Sequence, residues 1–290
     1  MKSFKYSLVL ILVSAIWGFS FVAQRSGMDY VGPYTFNGVR FLLGSLSLLP
    51  LYFLQKDRVK LSRDQFKKIA LSGLLLGSAL FIAASLQQIG MQYTTAANGG
   101  FITSLYVVLV PIFYLFLKRK VRVHIWIGAI LAVIGLYFLS VKDGLSINWG
   151  DSLVLMSAIF WAIHVMMIGY FAPKYSILLI SIIQFATTAI LSLAVAFAIE
   201  DVIWTQIVQG YIPIVYGGLF AVGIAYTLQV FAQKKVASEQ AAIILSFESA
   251  FAMLGGWLLL NEQHGWRSLM GAGLMMIGII VSQVKWRKQK

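Results

Sequence analysis

The chain has 290 residues, of which 60% are hydrophobic and only 11% charged, against about a quarter charged in an ordinary soluble domain. With a mean hydropathy of +0.84 that balance excludes a water-soluble fold, and the absence of cysteine excludes disulfide frameworks, thiolate metal sites and lipidated cysteines. A net charge of +13 would suggest nucleic acid in a soluble protein, but in a membrane chain the placement of the charge carries the information.

A helix needs about 20 mostly apolar residues to cross a bilayer. Apolar runs bounded by charges or by Gly and Pro turns predict ten such spans, in order 6–24, 33–54, 69–90, 96–117, 124–140, 152–171, 176–198, 210–231, 240–259 and 267–284. The first follows Lys2 and Lys5 as a secretory signal would. It runs on through Trp17, Phe19 and Phe21 with no small-residue cleavage site, so it reads as a retained helix.

Placing the N-terminus in the cytoplasm sorts the loops onto alternate sides. Nineteen of the 23 Lys and Arg then fall on the cytoplasmic side: Lys2, Lys5, Lys174, Lys234, Lys235 and the basic residues of 56–68, 118–122 and 285–290. Arg25, Lys142 and Arg267 fall outside, and Arg40 falls within a span. This bias sets the expected orientation, with both termini cytoplasmic in a bacterial inner (plasma) membrane. The charge is accounted for by topology and by attraction to anionic lipid, which leaves the bilayer and a small-molecule substrate as expected partners and excludes nucleic acid.

The chain also repeats at a spacing of about 143 residues. Trp17 is matched by Trp161, Leu86-Gln87 by Leu228-Gln229, and Asn98-Gly99-Gly100 falls opposite Gln240-Ala241-Ala242. Gly128-Ala129 followed by Gly135 recurs as Gly271-Ala272 followed by Gly278. The fold class expected is therefore an all-α integral membrane protein of ten transmembrane helices, arranged as two five-helix repeats over 1–142 and 147–286. Because five is odd, the second repeat enters the membrane from the opposite side and the two are inverted.

The stretch from Ala97-Asn98-Gly99-Gly100 to Val110-Pro111, the basic turn 118–122 and the run 128–140 resemble the first half of an EamA-type member of the drug/metabolite transporter superfamily. Leu245-Ser246-Phe247-Glu248-Ser249-Ala250-Phe251, Gly256-Trp257, Leu260-Asn261-Glu262 and Gly271-Ala272-Gly273 resemble that family's repeated ending. Ser249 stands where the family usually has Pro, and Asn261 where it usually has Gly. The resemblance implies transport of a small organic solute through a central cavity lined by helices of both halves. It is specific for fold and poor for substrate.

Ionisable groups in the hydrocarbon core cost about 2.5–3.5 kcal/mol on insertion scales and face a cavity or a partner. Two fall within spans. Glu248 shares its helix face with Ala241, Ala252 and Gly255, a small-residue stripe of the kind that faces protein. It reads as a proton-coupling or amine-binding carboxylate, with a structural carboxyl bonded to a neighbouring helix as the alternative. Arg40, about 10 Å deep at 1.5 Å per residue, shares a face with Asn37, Gly44 and Ser47. It reads first as a side chain snorkelling to the outer surface or fixing a carbonyl, with anion binding or gating as the alternative.

His164 sits inside the sixth span and is either a proton relay or hydrogen-bond donor to substrate, or a satisfied core residue. Trp17 and Trp161 each read first as core packing and second as a paired cavity lining. The positions that the resemblance places along the cavity are Gly99, Thr103 and Tyr106 on one face of the fourth span, Gln87 and Gln88 at the end of the third, and Tyr226 and Gln229 in the eighth. Gln87 and Asn98 have helix capping as their alternative. Gly73 and Gly77 form a Gly-x-x-x-Gly pair for close helix packing, and the fifth and tenth spans, poor in polar residues, read as an outer wall or dimer contact.

Enzyme signatures are missing. The sequence has no His-Glu-x-x-His, no Walker loop and no Gly-x-Ser-x-Gly, since Ser20 is followed by Phe21. The acids expected in the cytoplasm, Asp57, Asp64 and Glu239, are too far apart in sequence for a Mg²⁺ cluster. Without catalytic, metal or cofactor residues, the expected activity is secondary active transport of an amino acid or amine, with export the expected direction and proton coupling through Glu248. An uncoupled facilitator and a lipid-handling or scaffold protein are the alternatives. A monomer or homodimer is expected.

Overall fold

The computed structural model describes residues 2–55, 61–140, 148–263 and 265–283. Lys56, Arg58, Lys60, Lys142, Lys285, Arg287, Lys288 and Lys290, and the expected repeat limits at 1, 142, 147 and 286, lie outside the described residues.

Regular structure in the described residues is entirely helical. It comprises α1 (Lys2–Gly27), α2 (Pro33–Leu54), α3 (Arg63–Gly90), α4 (Ala96–Thr103), α5 (Tyr106–Phe116), α6 (Val123–Ser140), α7 (Trp149–Phe171), α8 (Ile177–Ile199), α9 (Trp204–Gln209), α10 (Tyr211–Val215), a π-helical segment (Tyr216–Tyr226), α11 (Thr227–Gln233), α12 (Ser238–Leu245), α13 (Glu248–Leu260) and α14 (Trp266–Gln283). Taking α4 with α5, α10 through α11, and α12 with α13, eight helical stretches are long and apolar enough to cross a membrane, and α6 and α14 contain shorter apolar helices. The chain is a multi-pass membrane protein.

Local chemistry sets the helix starts, where four backbone N–H groups lack intrahelical partners. Ser62 accepts the Gln65 N–H at 3.2 Å while the Gln65 side chain accepts the Ser62 N–H at 2.9 Å, a reciprocal capping box. Asn148 and Asp151 form the same box at the start of α7, at 2.8 and 3.1 Å. The start of α2 is capped from a distance: Glu200, just past α8, accepts the backbone N–H groups of Tyr34 and Thr35, each at 2.8 Å, and the Thr35 hydroxyl at 2.7 Å.

Glycines set the closest helix approaches. An ideal Cβ on Gly73 would stand 2.5 Å from the Ile183 side chain, and one on Gly77 would stand 2.6 Å from the Gln184 carbonyl, so the Gly-x-x-x-Gly pair seats α3 against α8. Between α6 and α14 the glycines pair crosswise. A Cβ on Gly128 would stand 2.8 Å from the Gly278 carbonyl oxygen, and one on Gly135 2.6 Å from that of Gly271. Ascending numbers on α6 thus meet descending numbers on α14, which makes the pair antiparallel. Elsewhere α2 lies along α8, α1 along α13, and α3 along α7 and α8.

Three features depart from uniform helical spans. Of the spans expected from sequence, the fourth and ninth are each broken, at Ser104–Leu105 and at Ser246–Phe247. The eighth is π-helical over 11 residues, where Gly217, Gly218 and Gly223 lie close against α2. A short helix, α9, precedes it. Apolarity alone is blind to all three, because a break, a wide turn and a regular turn bury similar apolar surface.

Candidate functional site

The two helix breaks organise the site. In each, the usual i→i−4 bonding tightens to i→i−3: Leu105 to Ile102 at 3.2 Å and Val107 to Ser104 at 3.0 Å in the first, Phe247 to Ile244 and Ser249 to Ser246 at 3.2 Å in the second. Ser104 and Ser246 are 142 residues apart, as are Tyr106 and Glu248, and each pair is bonded together. The Ser104 hydroxyl donates to the Ser246 carbonyl at 3.1 Å, and the Tyr106 hydroxyl donates to Glu248 Oε1 at 3.0 Å. Glu248 is the first residue of α13 and is only 3% exposed. Broken helices of this kind build binding sites at the midplane of transporters.

A narrow central cavity of about 30 Å³ lies beside these breaks. Its walls are Trp17, Ser20, Phe21 and Gln24 of α1, Arg40 of α2, Gln87 of α3, Thr103 and Tyr106 at the first break, Trp161 and Val165 of α7, Ala221 and Tyr226 of the π segment, Gln229 of α11, and Glu248. One wall is a hydrogen-bonded chain centred on Gln87. Its Oε1 accepts from Trp161 Nε1 at 2.7 Å and from the Thr103 hydroxyl at 3.2 Å, and its Nε2 donates to Gln24 Oε1 at 2.8 Å. Gln24 in turn donates to Ser20 at 3.3 Å. The facing wall is aromatic: the Tyr226 ring lies 4.6 Å from Trp17 and 6.1 Å from Trp161 between centroids, the latter pair stacked. Trp17 Nε1 donates to the Ala221 carbonyl at 3.0 Å.

Arg40 corrects the first reading of the sequence. It does not snorkel: it is 4% exposed, lines the cavity, and lies over the rings of Phe36 and Phe41 at 5.2 and 5.1 Å. Its Nε donates to Asn37 Oδ1 at 3.0 Å, and Asn37 is held by donating to the Ala84 carbonyl at 3.0 Å. Among the described residues no carboxylate comes within 4.0 Å of it, Glu248 included. Stem length alone suggested an outward reach; the neighbouring ring faces and Asn37 hold the head inside instead. A buried charge without a counter-charge is costly.

Of the other residues singled out by sequence, Trp17, Trp161, Tyr106, Thr103, Gln87 and Tyr226 join this cavity. His164 stands behind it, fully buried, with Nε2 and Gln184 Oε1 at 3.1 Å and its ring edge-on to both Trp161 and Tyr226 at 6.0 Å. Asn98 is not part of the walls. It sits in the first turn of α4, where its backbone N–H donates to the N-cap Thr95 at 3.1 Å, so Thr95, not Asn98, caps that helix. Phe21, Val165 and Ala221 were invisible to a search for polar groups. The serines of the two breaks had a signal, Ser104 and Ser246 standing at the repeat offset. Among the described residues no cluster of His, Asp and Glu could hold a metal ion.

Comparison with known proteins agrees with this architecture. A model described as the EamA-like transporter family matches twice, over residues 4–141 and 148–283. An uncharacterized transporter of Archaeoglobus fulgidus is 33% identical over 95% of this chain and 85% of its own length. The uncharacterized transporter YoaV of Bacillus subtilis is 25% identical over 99% of both chains, and the uncharacterized inner membrane transporter YedA of Escherichia coli is 26% identical over 94% of this chain and 88% of its own. A solved crystal structure superposes with a TM-score of 0.80 over 97% of this chain and 98% of that one, at 16% identity, a likeness of fold.

Proposed function

The chain belongs to the EamA-like transporter family, and from that premise we propose that it is a proton-coupled secondary transporter that exports a zwitterionic metabolite, an amino acid above all, across a bacterial inner membrane. The observation that carries this reading is one cavity with two buried, mutually unpaired groups of opposite type, Arg40 and Glu248. A carboxylate of the solute fits Arg40, its ammonium fits Glu248, and the aromatic wall of Trp17, Trp161 and Tyr226 takes an apolar side chain. Tyr106 orients the Glu248 carboxyl, and the Gln87 chain presents neutral hydrogen-bonding groups.

The mechanism we infer is alternating access by ten helices in two inverted five-helix halves, with α6 and α14 counted as spans. Three observations support it: the antiparallel glycine pairing of α6 with α14, the direct bonds between residues at the repeat offset, and the matching helix breaks. Exchanging the halves maps the contact of α1 with α13 onto that of α7 with α4 and α5. Both termini are cytoplasmic in this reading, by the distribution of basic residues, and the protein works as a monomer or homodimer in the bilayer.

Purified protein in liposomes, given a pH gradient and a mixture of labelled amino acids, is expected to accumulate at least one of them. Phenethylamine and N-acetyl amino acids, which each lack one charge of the zwitterion, are expected to compete poorly. Glu248→Gln is expected to abolish accumulation, and undiminished gradient-driven transport by that variant would remove the coupling role. Equilibration without accumulation would mark a facilitator.

A further inference from the structure

The two halves bond one Gln–Trp pair of repeat mates differently. Gln87 and Gln229 occupy equivalent positions 142 residues apart, and Trp161 and Trp17 stand 144 apart. In one pairing Trp161 Nε1 donates to Gln87 Oε1 at 2.7 Å. In the other, Trp17 Nε1 donates to the Ala221 carbonyl at 3.0 Å, and Gln229, fully buried on the cavity wall, has no partner for either its Oε1 or its Nε2. A buried amide with both ends unpaired is uncommon and costly. The backbone differs in the same place: Ala221 lies within the π segment, whereas its mate Ala79 lies in the regular helix α3. The Trp17 ring stays packed on Tyr226, so the asymmetry resides in where its N–H points.

We propose that Gln229 is a positioning residue, the acceptor for Trp17 in the other access state, and that Gln87 and Gln229 are bonded alternately by the two tryptophans. This rests on the alternating-access reading, in which the halves exchange conformations around a fixed site. In the state described here Trp161 holds Gln87 while Gln229 is empty. In the exchanged state Trp17 leaves the Ala221 carbonyl for Gln229 Oε1, the π segment relaxes, and Trp161 releases Gln87. The empty amide marks the half that is waiting, and the group that must fill it already lines the same cavity.

Because the chain has no cysteine, single reporters can be introduced without background. Ala96→Cys and Ser238→Cys are repeat mates, 0% and 3% exposed. Both are buried in the state described here, so each is alkylated only when its own end of the protein opens, and their rates with a maleimide, measured in nanodiscs where both faces are accessible, report how often each end does so. Gln229→Met removes a bond made only in the exchanged state and Gln87→Met removes the Trp161 bond made only in this one. The ratio of the two rates is therefore expected to move in opposite directions, by roughly threefold to tenfold for each.

Movement in the same direction, or less than twofold in both, would overturn the proposal. Alkylation of neither reporter in any chain would instead overturn alternating access itself. A second measurement does not depend on Gln87→Met folding. In the ¹H–¹⁵N spectrum of the indole groups, with Trp17 assigned by Trp17→Phe, the wild-type chain is expected to show two exchanging Trp17 signals and Gln229→Met one. Equal numbers in the two chains would overturn the switch.

Discussion

The seam between α6 and α14 offers a prediction in which one substitution, glycine to alanine, changes sign with position. In an unobstructed helix, Gly→Ala stabilises by up to about 1 kcal/mol through backbone entropy. Gly273 of α14 meets no atom within 4 Å of an added Cβ, so Gly273→Ala should raise stability by about 0.5–1 kcal/mol. At Gly135 the same methyl would stand 2.6 Å from the Gly271 carbonyl oxygen and 2.8 Å from the Met275 backbone nitrogen. Neither obstacle is a flexible side-chain tip, so the helices themselves must part. Overpacking of this kind costs about 1–3 kcal/mol, which outweighs the propensity gain and leaves Gly135→Ala destabilised by about 1–2 kcal/mol.

Gly278→Ala, 2.7 Å from the Gly128 carbonyl, should behave like Gly135→Ala. The double variant should cost less than the sum, since one separation of the helices relieves both clashes. Reversible unfolding in mixed micelles of dodecyl maltoside and dodecyl sulfate, followed by circular dichroism, measures all four chains against the parent. A Gly135→Ala protein as stable as Gly273→Ala would refute the close antiparallel approach of these helices.

Four further outcomes are expected. Arg40→Leu should leave unfolding stability within about 1 kcal/mol of the parent, because it removes a buried charge without a counter-charge. The same variant should weaken binding of a carboxylate-bearing solute about 30-fold, the loss of one charge-assisted bond worth about 2 kcal/mol, as read by calorimetry; retained affinity would remove Arg40 from the site. Tyr106→Phe and Glu248→Leu, combined in a double-mutant cycle of unfolding free energies, should show a coupling of about 0.5–1.5 kcal/mol, and additivity within about 0.3 kcal/mol would argue against their bond. Glu200→Ala should cost about 2 kcal/mol by stranding three donors at the start of α2, whereas Glu200→Gln, which keeps acceptor capacity, should cost less; equal losses in thermal unfolding would point to charge rather than capping.

How far the chain can be read without coordinates depends on the kind of energy involved. Span location follows from transfer free energies that add residue by residue along a local window, so the apolar runs coincide with the helices of the structure to within a few positions. The glycine spacing of 73 and 77, and of 128, 135, 271 and 278, was legible for the same reason: small residues at helical spacing have few other uses in a membrane. Glu248 and Tyr106 were legible as unusual groups within apolar runs. Their direct bond was not, because it joins residues 142 apart across a helix break that hydropathy does not register. Glu200, at the end of a span in a polar stretch, gave no hint that it caps α2.

Sequence by itself determined that this is a helical multi-pass membrane protein, where its apolar helices lie and which family it belongs to, because solvation of the chain by lipid is decided locally. Only the tertiary structure decided that Arg40 turns inward against Phe36, Phe41 and Asn37, that Asn98 stays out of the cavity, and that Gln87 is fully bonded while Gln229 is empty. Those outcomes are set by pairwise geometry between distant helices, where a long side chain can satisfy itself in more than one direction and packing selects among them.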